Sequence, residues 1–181
     1  MESNELEQCV SYLDRQIEKR KLLWLKQQKA LIVALQGEIL EFRALLEGIR
    51  KNKPEKDLFR EYLEKYEFLF AFLTGEEKEK PEELLLWNEE YPDLALQLLW
   101  TKEKMNSEKI ISGALTLYEA KWHLYKSIGA LILSQEYMKN GNDADARTFA
   151  GRAIEYAPSE EMLHCIKSFL YKQRWHDDEL Q

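Results

Sequence analysis

The chain has 181 residues, 45% hydrophobic and 33% charged, with seven glycines and four prolines; this composition excludes disorder and fits one substantial folded domain or two small ones. A formal net charge of −7 excludes the broad basic footprint that displaces counterions from phosphates, so no nucleic-acid partner is expected. No run of about 18 apolar residues is present, which excludes a membrane span.

The start, Met1 to Glu5, is acidic and lacks the basic flank and apolar core of a secretory signal. Cys9 and Cys165 lie at opposite ends of the chain, so reduced structural thiols and a cytoplasmic location are expected. Pro54, Pro81, Pro92 and Pro158 leave residues 1–53 and 93–157 free of prolines. Long tracts without breakers favour helices, and the predicted fold is all-α.

Apolar residues recur at Leu6, Val10, Leu13, Ile17, Trp24, Leu31, Leu35, Phe42 and Ile49, within a narrow arc when about 100° is turned per residue. The spacing predicts one helix of roughly 45 residues, long enough to suggest a coiled-coil partner or a hairpin. Heptad steps link Val10 to Leu31 and Leu35 to Ile49, and the shorter step between the two sets is a stutter; Gly37 just beyond it is a candidate bend. Arg15, Lys19, Lys26 and Lys29 fall opposite the stripe, as a solvated face would. Arg20 and Gln27 interrupt the second seam that a coiled coil would want, which favours a hairpin within the chain.

Pro54 is placed to open a second helix, Glu55 to about Leu73, folding back antiparallel to complete a hairpin unit over residues 1–80. Thr74 to Pro81 is charged and free of apolar side chains, and reads as the boundary to a second unit, residues 81–181. There the pattern predicts helices at Glu82–Glu90 and Asp93–Met105, then from Ile110 to Lys139 either one helix or two meeting near Gly129. Asn106-Ser107 offers a cap, and Asn140 to Asp143 is a turn signal. Ala144–Tyr156 follows, stopped by Pro158, and Ser159 caps a last helix, Glu160 to about Trp175.

Between Ser127 and Pro158 the spacing resembles one degenerate tetratricopeptide repeat. Ala130, Leu133, Ser134 and Tyr137 stand where that family's first helix has its large residue, leucine, glycine and tyrosine. Gly141 lies in the turn; Ala146, Ala150 and Ala153 form the small face of the second helix; Pro158 closes the unit. The offsets fit throughout, while alanine replaces the usual tryptophan, serine the glycine and Ala150 a common phenylalanine. The resemblance implies a protein-binding scaffold whose first helix lines a concave surface, with Ile128, Leu131, Gln135, Met138 and Lys139 facing a protein partner and the last helix acting as a cap. Ile128 and Leu131 fit a core equally well.

Signals for chemistry are thin. Glu161-x-x-His164 has the spacing of a helix-bundle metal motif but lacks the second copy and the further glutamates such sites need. Setting Gly141 at the glycine of a calcium loop puts Met138 at a ligand position and Arg147 at the closing glutamate, so that register fails. There is no glycine-rich phosphate loop and no nucleophile elbow, and only His123, His164 and His176 for acid-base work. No enzyme activity, cofactor or metal is expected. The expected function is an adaptor or chaperone-like module that binds a helix or extended segment of another protein. The alternative is a structural coiled-coil subunit that self-associates through residues 1–50.

Overall fold

The computed structural model describes residues 2–20, 23–52, 58–79 and 90–172. The fold is all-α, with no strand among the described residues. The helices are α1 Glu2–Arg20, α2 Leu23–Leu35, α3 Ile39–Lys51, α4 Leu58–Thr74, α5 Tyr91–Thr101, α6 Ser107–Tyr118, α7 His123–Lys139, α8 Asp143–Glu155 and α9 Glu160–Lys172. A short 3-10 turn, Lys102–Lys104, follows α5. The sequence-predicted helix start at Pro54 and Glu55, the helix Glu82–Glu90 and the end of the last helix beyond Lys172 lie outside the described residues.

The single helix of roughly 45 residues read from the apolar stripe is corrected: α2 ends at Leu35 and α3 begins at Ile39. Gly37 is the cause. Its φ of 71° is a left-handed conformation that other L-residues adopt at a penalty. It lets the Gly37 N–H donate to the Ala34 carbonyl (2.9 Å) and the Glu38 N–H to the Val33 carbonyl (3.2 Å), closing the helix. The chain then doubles back. Lys29 Nζ on α2 lies 2.8 Å from Asp14 on α1 and 2.8 Å from Glu41 on α3, so α2 runs between its two neighbours. Gly75 and Gly141 end α4 and α7 by the same device, at φ 76° and 75°.

The α2–α3 turn docks on the turn between α8 and α9. A Cβ added at Gly37 would stand 2.5 Å from Met162 Cγ and 2.7 Å from Pro158 Cγ. Ser159 Oγ donates to the Gly37 carbonyl (2.7 Å) and accepts from the Met162 N–H (3.1 Å), so the predicted cap of α9 also clasps a residue far back in the chain.

One buried cluster runs from Ala30 on α2 to Leu170 on α9 and includes Phe42, Phe70, Leu96, Leu117, Leu131 and Met162. Full burial of side chains this size contributes about 1.5–3 kcal/mol each. Phe42 meets Phe70 edge to face at 5.4 Å between centroids, and Phe68 and Phe72 each meet Trp100 at 5.9 Å. Apolar packing is therefore continuous between α4 and α5.

Residues 107–139 form two helices, and the break falls at Glu119–Trp122, not near Gly129. Gly129 lies inside α7 because α6 passes too close for a side chain: a Cβ there would be 2.5 Å from the Tyr118 backbone N and 2.6 Å from the Ala114 carbonyl O. On the opposite side, Ala146, Ala150 and Ala153 of α8 are fully buried against α7, and Ser127 Oγ donates to the Ala153 carbonyl at 2.6 Å. Tyr137 stacks on Phe149 at 5.5 Å.

Candidate partner-binding surface

Helix α7 is packed between α6 and α8, and this decides what its residues can do. Ile128 and Leu131 have no exposed surface and belong to the core, because the stripe they occupy is the one covered by neighbouring helices. Gln135, Met138 and Lys139 lie in the last two turns, where α7 reaches the surface, and three of the five sequence-predicted positions are thereby brought together. They line a cavity of about 450 Å³ with Glu103, Ile110, Ile132 and Glu136. Ile110 and Ile132 are buried and form its floor. Asn140 Nδ2 donates to Ser107 Oγ at 2.7 Å, fastening the end of α7 to the start of α6 beside it.

The charged wall of this cavity is Glu136. Its side chain is only 5% exposed, and its Oε1 has no hydrogen-bond partner among the described residues. Lys139, one helical turn on and 64% exposed, holds its Nζ 3.6 Å from that oxygen, too far for a hydrogen bond. The recess thus offers a carboxylate oxygen beside an apolar floor.

A second concavity, about 720 Å³, opens between α5 and α6, floored by Leu94, Leu98 and Met105 and rimmed by Gln97, Lys104 and Lys109. The 3-10 turn and the residues after it wall both spaces, with Glu103 on one and Lys104 to Asn106 on the other.

On the other side of α5 a polar cluster joins α4, α5 and α7. Lys65 Nζ lies 2.8 and 3.0 Å from the two Asp93 carboxylate oxygens and 3.1 Å from Glu61, with the Lys65 and Asp93 side chains 3% and 4% exposed. Burial opposes the Lys65 charge, but hydrogen bonds to Asp93 and Glu61 outweigh it and hold the amine above the usual lysine range. Burial pushes the Asp93 carboxyl up, and Lys65 counters this only in part, so the cost of desolvating the pair falls on Asp93. Nearby, the Tyr66 and Tyr125 hydroxyls meet within the core. Burial pushes the Tyr66 phenol up to about 12. The Tyr62 phenol is also pushed up to about 12, chiefly by its hydrogen bond to Glu90.

Other groups singled out by sequence take structural roles. Glu161 Oε2 accepts from the Leu40 N–H at 3.0 Å, a carboxylate at the start of α3 where the helix dipole favours it. His164 is exposed. Among the described residues no group of three or more His, Cys, Asp or Glu side chains could hold a metal ion. None of the described helices is long and apolar enough to cross a membrane. Lys29, from the basic face of the first tract, is engaged by Asp14 and Glu41.

Sequence reasoning missed Glu103, Ile110, Ile132 and Glu136 on the cavity, and the Lys65–Asp93 pair. A signal was present in two cases. Glu136 follows Ile128 and Ile132 at helical spacing, and Lys65 sits among Tyr62, Tyr66 and Leu69, so each is a charge within an apolar stripe. Compared with protein-family models, with curated proteins and with solved structures, the chain matches none.

Proposed function

We propose that the protein is a non-enzymatic interaction module, an adaptor or chaperone-like scaffold, that binds a helix or extended segment of another protein along its α5–α7 side. The observation that carries this reading is the pair of adjoining concavities, each with an apolar floor under a polar rim, which is the makeup of grooves that take peptide segments. The α7–α8 hairpin acts in it as a degenerate tetratricopeptide unit. Its alanine face, the left-handed Gly141 turn and the Tyr137–Phe149 stack support that role. The partner-facing positions are Gln135, Met138 and Lys139.

The test is affinity capture by the full chain, comparing wild type with Met138→Arg, which plugs the α6–α7 cavity, and with Leu40→Arg on α3 as control. Leu40 is 68% exposed and Met138 half-buried, so both variants should fold, with unchanged circular dichroism. Proteins held by wild type and Leu40→Arg but lost by Met138→Arg are the expected result. Identical partner sets on all three baits would remove the α5–α7 side from consideration.

A second reading is self-association through residues 1–50 as a structural subunit. Tyr12 and Trp24, 59% and 47% exposed on α1 and α2, favour it. Light scattering separates the two readings: a monomer in wild type excludes the second, and an oligomer dispersed by Tyr12→Lys with Trp24→Lys supports it.

A further inference from the structure

The α6–α7 cavity combines features that go beyond a generic groove. Its floor is aliphatic, from Ile110 and Ile132, with Met138 on the wall. At its side lies the Glu136 carboxylate, almost fully buried, with an oxygen that no described group hydrogen-bonds. A second carboxylate, Glu103, stands at the rim. A buried carboxylate oxygen without a hydrogen-bond donor carries a desolvation cost that an incoming donor would relieve. Lys139, mostly in solvent, pairs with that oxygen only at 3.6 Å, beyond hydrogen-bond reach.

We propose that this cavity is a recognition pocket for a basic side chain, lysine or arginine, of the partner protein, whose aliphatic stem lies on Ile110, Ile132 and Met138 while its charged head hydrogen-bonds Glu136 and faces Glu103. Such side chains bury their methylene stems on apolar surface and keep a polar head for a hydrogen-bonded anion. The volume, about 450 Å³, admits one such side chain together with the backbone that carries it. Lys139 is then the pocket's internal competitor: it screens Glu136 in the free protein and yields to a better-placed cation. This rests on the interaction reading above and adds to it what the site selects.

The experiment uses the full chain and defined probes, so it is independent of capturing a partner. Nα-acetyl-lysine N-methylamide and its arginine analogue are titrated against protein labelled at isoleucine and methionine methyls, with the norleucine analogue, which keeps the stem and lacks the charge, as control. Saturable shifts at Ile110, Ile132 and Met138 with the cationic probes, weak or absent with norleucine, are expected. Glu136→Gln should weaken the cationic probes about tenfold or more. Lys139→Gln should tighten them, a gain that a merely damaged fold cannot produce. Equal shifts with norleucine, no saturable shifts, or no tightening in Lys139→Gln would overturn the pocket assignment, while loss of partners in Met138→Arg could still stand alone.

Discussion

The α1–α3 and α6–α8 regions are both layers of three helices, yet polar side chains join them differently. In α6–α8 the backbones nearly touch. Gly129 admits α6, the alanines of α8 admit α7, and Ser127 ties the two helices through a backbone carbonyl. In α1–α3 polar side chains bridge the helices beside the buried Ala30, Val33 and Phe42: Lys29 reaches an acid on either side, and Gln27 is buried with its Nε2 lacking a hydrogen-bond partner among the described residues. Close backbone contact fixes helix positions with little slack, because interiors are packed densely and resist deformation. Long bridging side chains fix them loosely. The candidate surface sits on the tightly set region, where preformed geometry is worth most.

The largest expected effect tests the α4–α5 joint, which contacts α2 on one side and α6 and α7 on the other. Lys65→Met leaves Asp93 buried and unpaired and should cost about 3–5 kcal/mol in urea unfolding. Adding Asp93→Leu should restore most of it. Failure of that rescue would mean the joint needs its charges for more than pairing.

Next comes Gly129→Val, for which a loss of about 3 kcal/mol is expected, since backbone atoms on α6 cannot move aside as a side chain would. A loss under about 1 kcal/mol would show that α6–α8 is as loosely set as α1–α3, and the contrast would collapse.

Alkaline pH probes the Tyr66–Tyr125 contact. With its phenol pushed up to about 12, folded Tyr66 keeps its proton at pH values where the unfolded chain, near 10, has lost it. The contribution is whole below pH 10 and lost as pH rises to about 12, roughly 2–3 kcal/mol in all. Lys65, also held high, acts with the same sign. Stability of the Tyr66→Phe, Tyr125→Phe double variant should fall less steeply through that window, and parallel pH curves would refute the assignment.

The smallest effects come from two turns of like conformation. Gly37→Ala meets both the left-handed penalty and the side chains of Met162 and Pro158, whereas Gly141→Ala meets only the penalty, with nothing within 4 Å. Thermal unfolding should give about 2 kcal/mol for the first and about 1 for the second. Equal losses would imply that the turn-on-turn contact contributes nothing.

Much of this fold was legible where local chemistry decides. Asn106 and Ser159 cap the helices that follow them, and the Asn140–Asp143 turn falls between α7 and α8 with Gly141 left-handed. Two boundaries were read incompletely. The apolar stripe resumes beyond Gly37, so periodicity argues for continuity, and the stutter beside Gly37 suggests a bend where a φ of 71° ends the helix outright. The break at Glu119–Trp122 uses residues that suit a helix, and the close packing of α7 on α6 overrides their preference. At the candidate surface, the repeat-like offsets point to Gln135, Met138 and Lys139, which line the α6–α7 cavity. Ile128 and Leu131 share those offsets but lie where α7 is covered on two sides, which spacing along one helix does not encode.

The Ser159 clasp on Gly37 also sets an order of events during synthesis. The two residues are 122 positions apart, so at about 5–20 residues per second the α2–α3 turn waits roughly 6–24 s for its counterpart to be made. Throughout that interval the α2–α3 turn lacks the Pro158 and Met162 side chains that later pack against Gly37. The α2–α3 turn can dock only once α9 has been made.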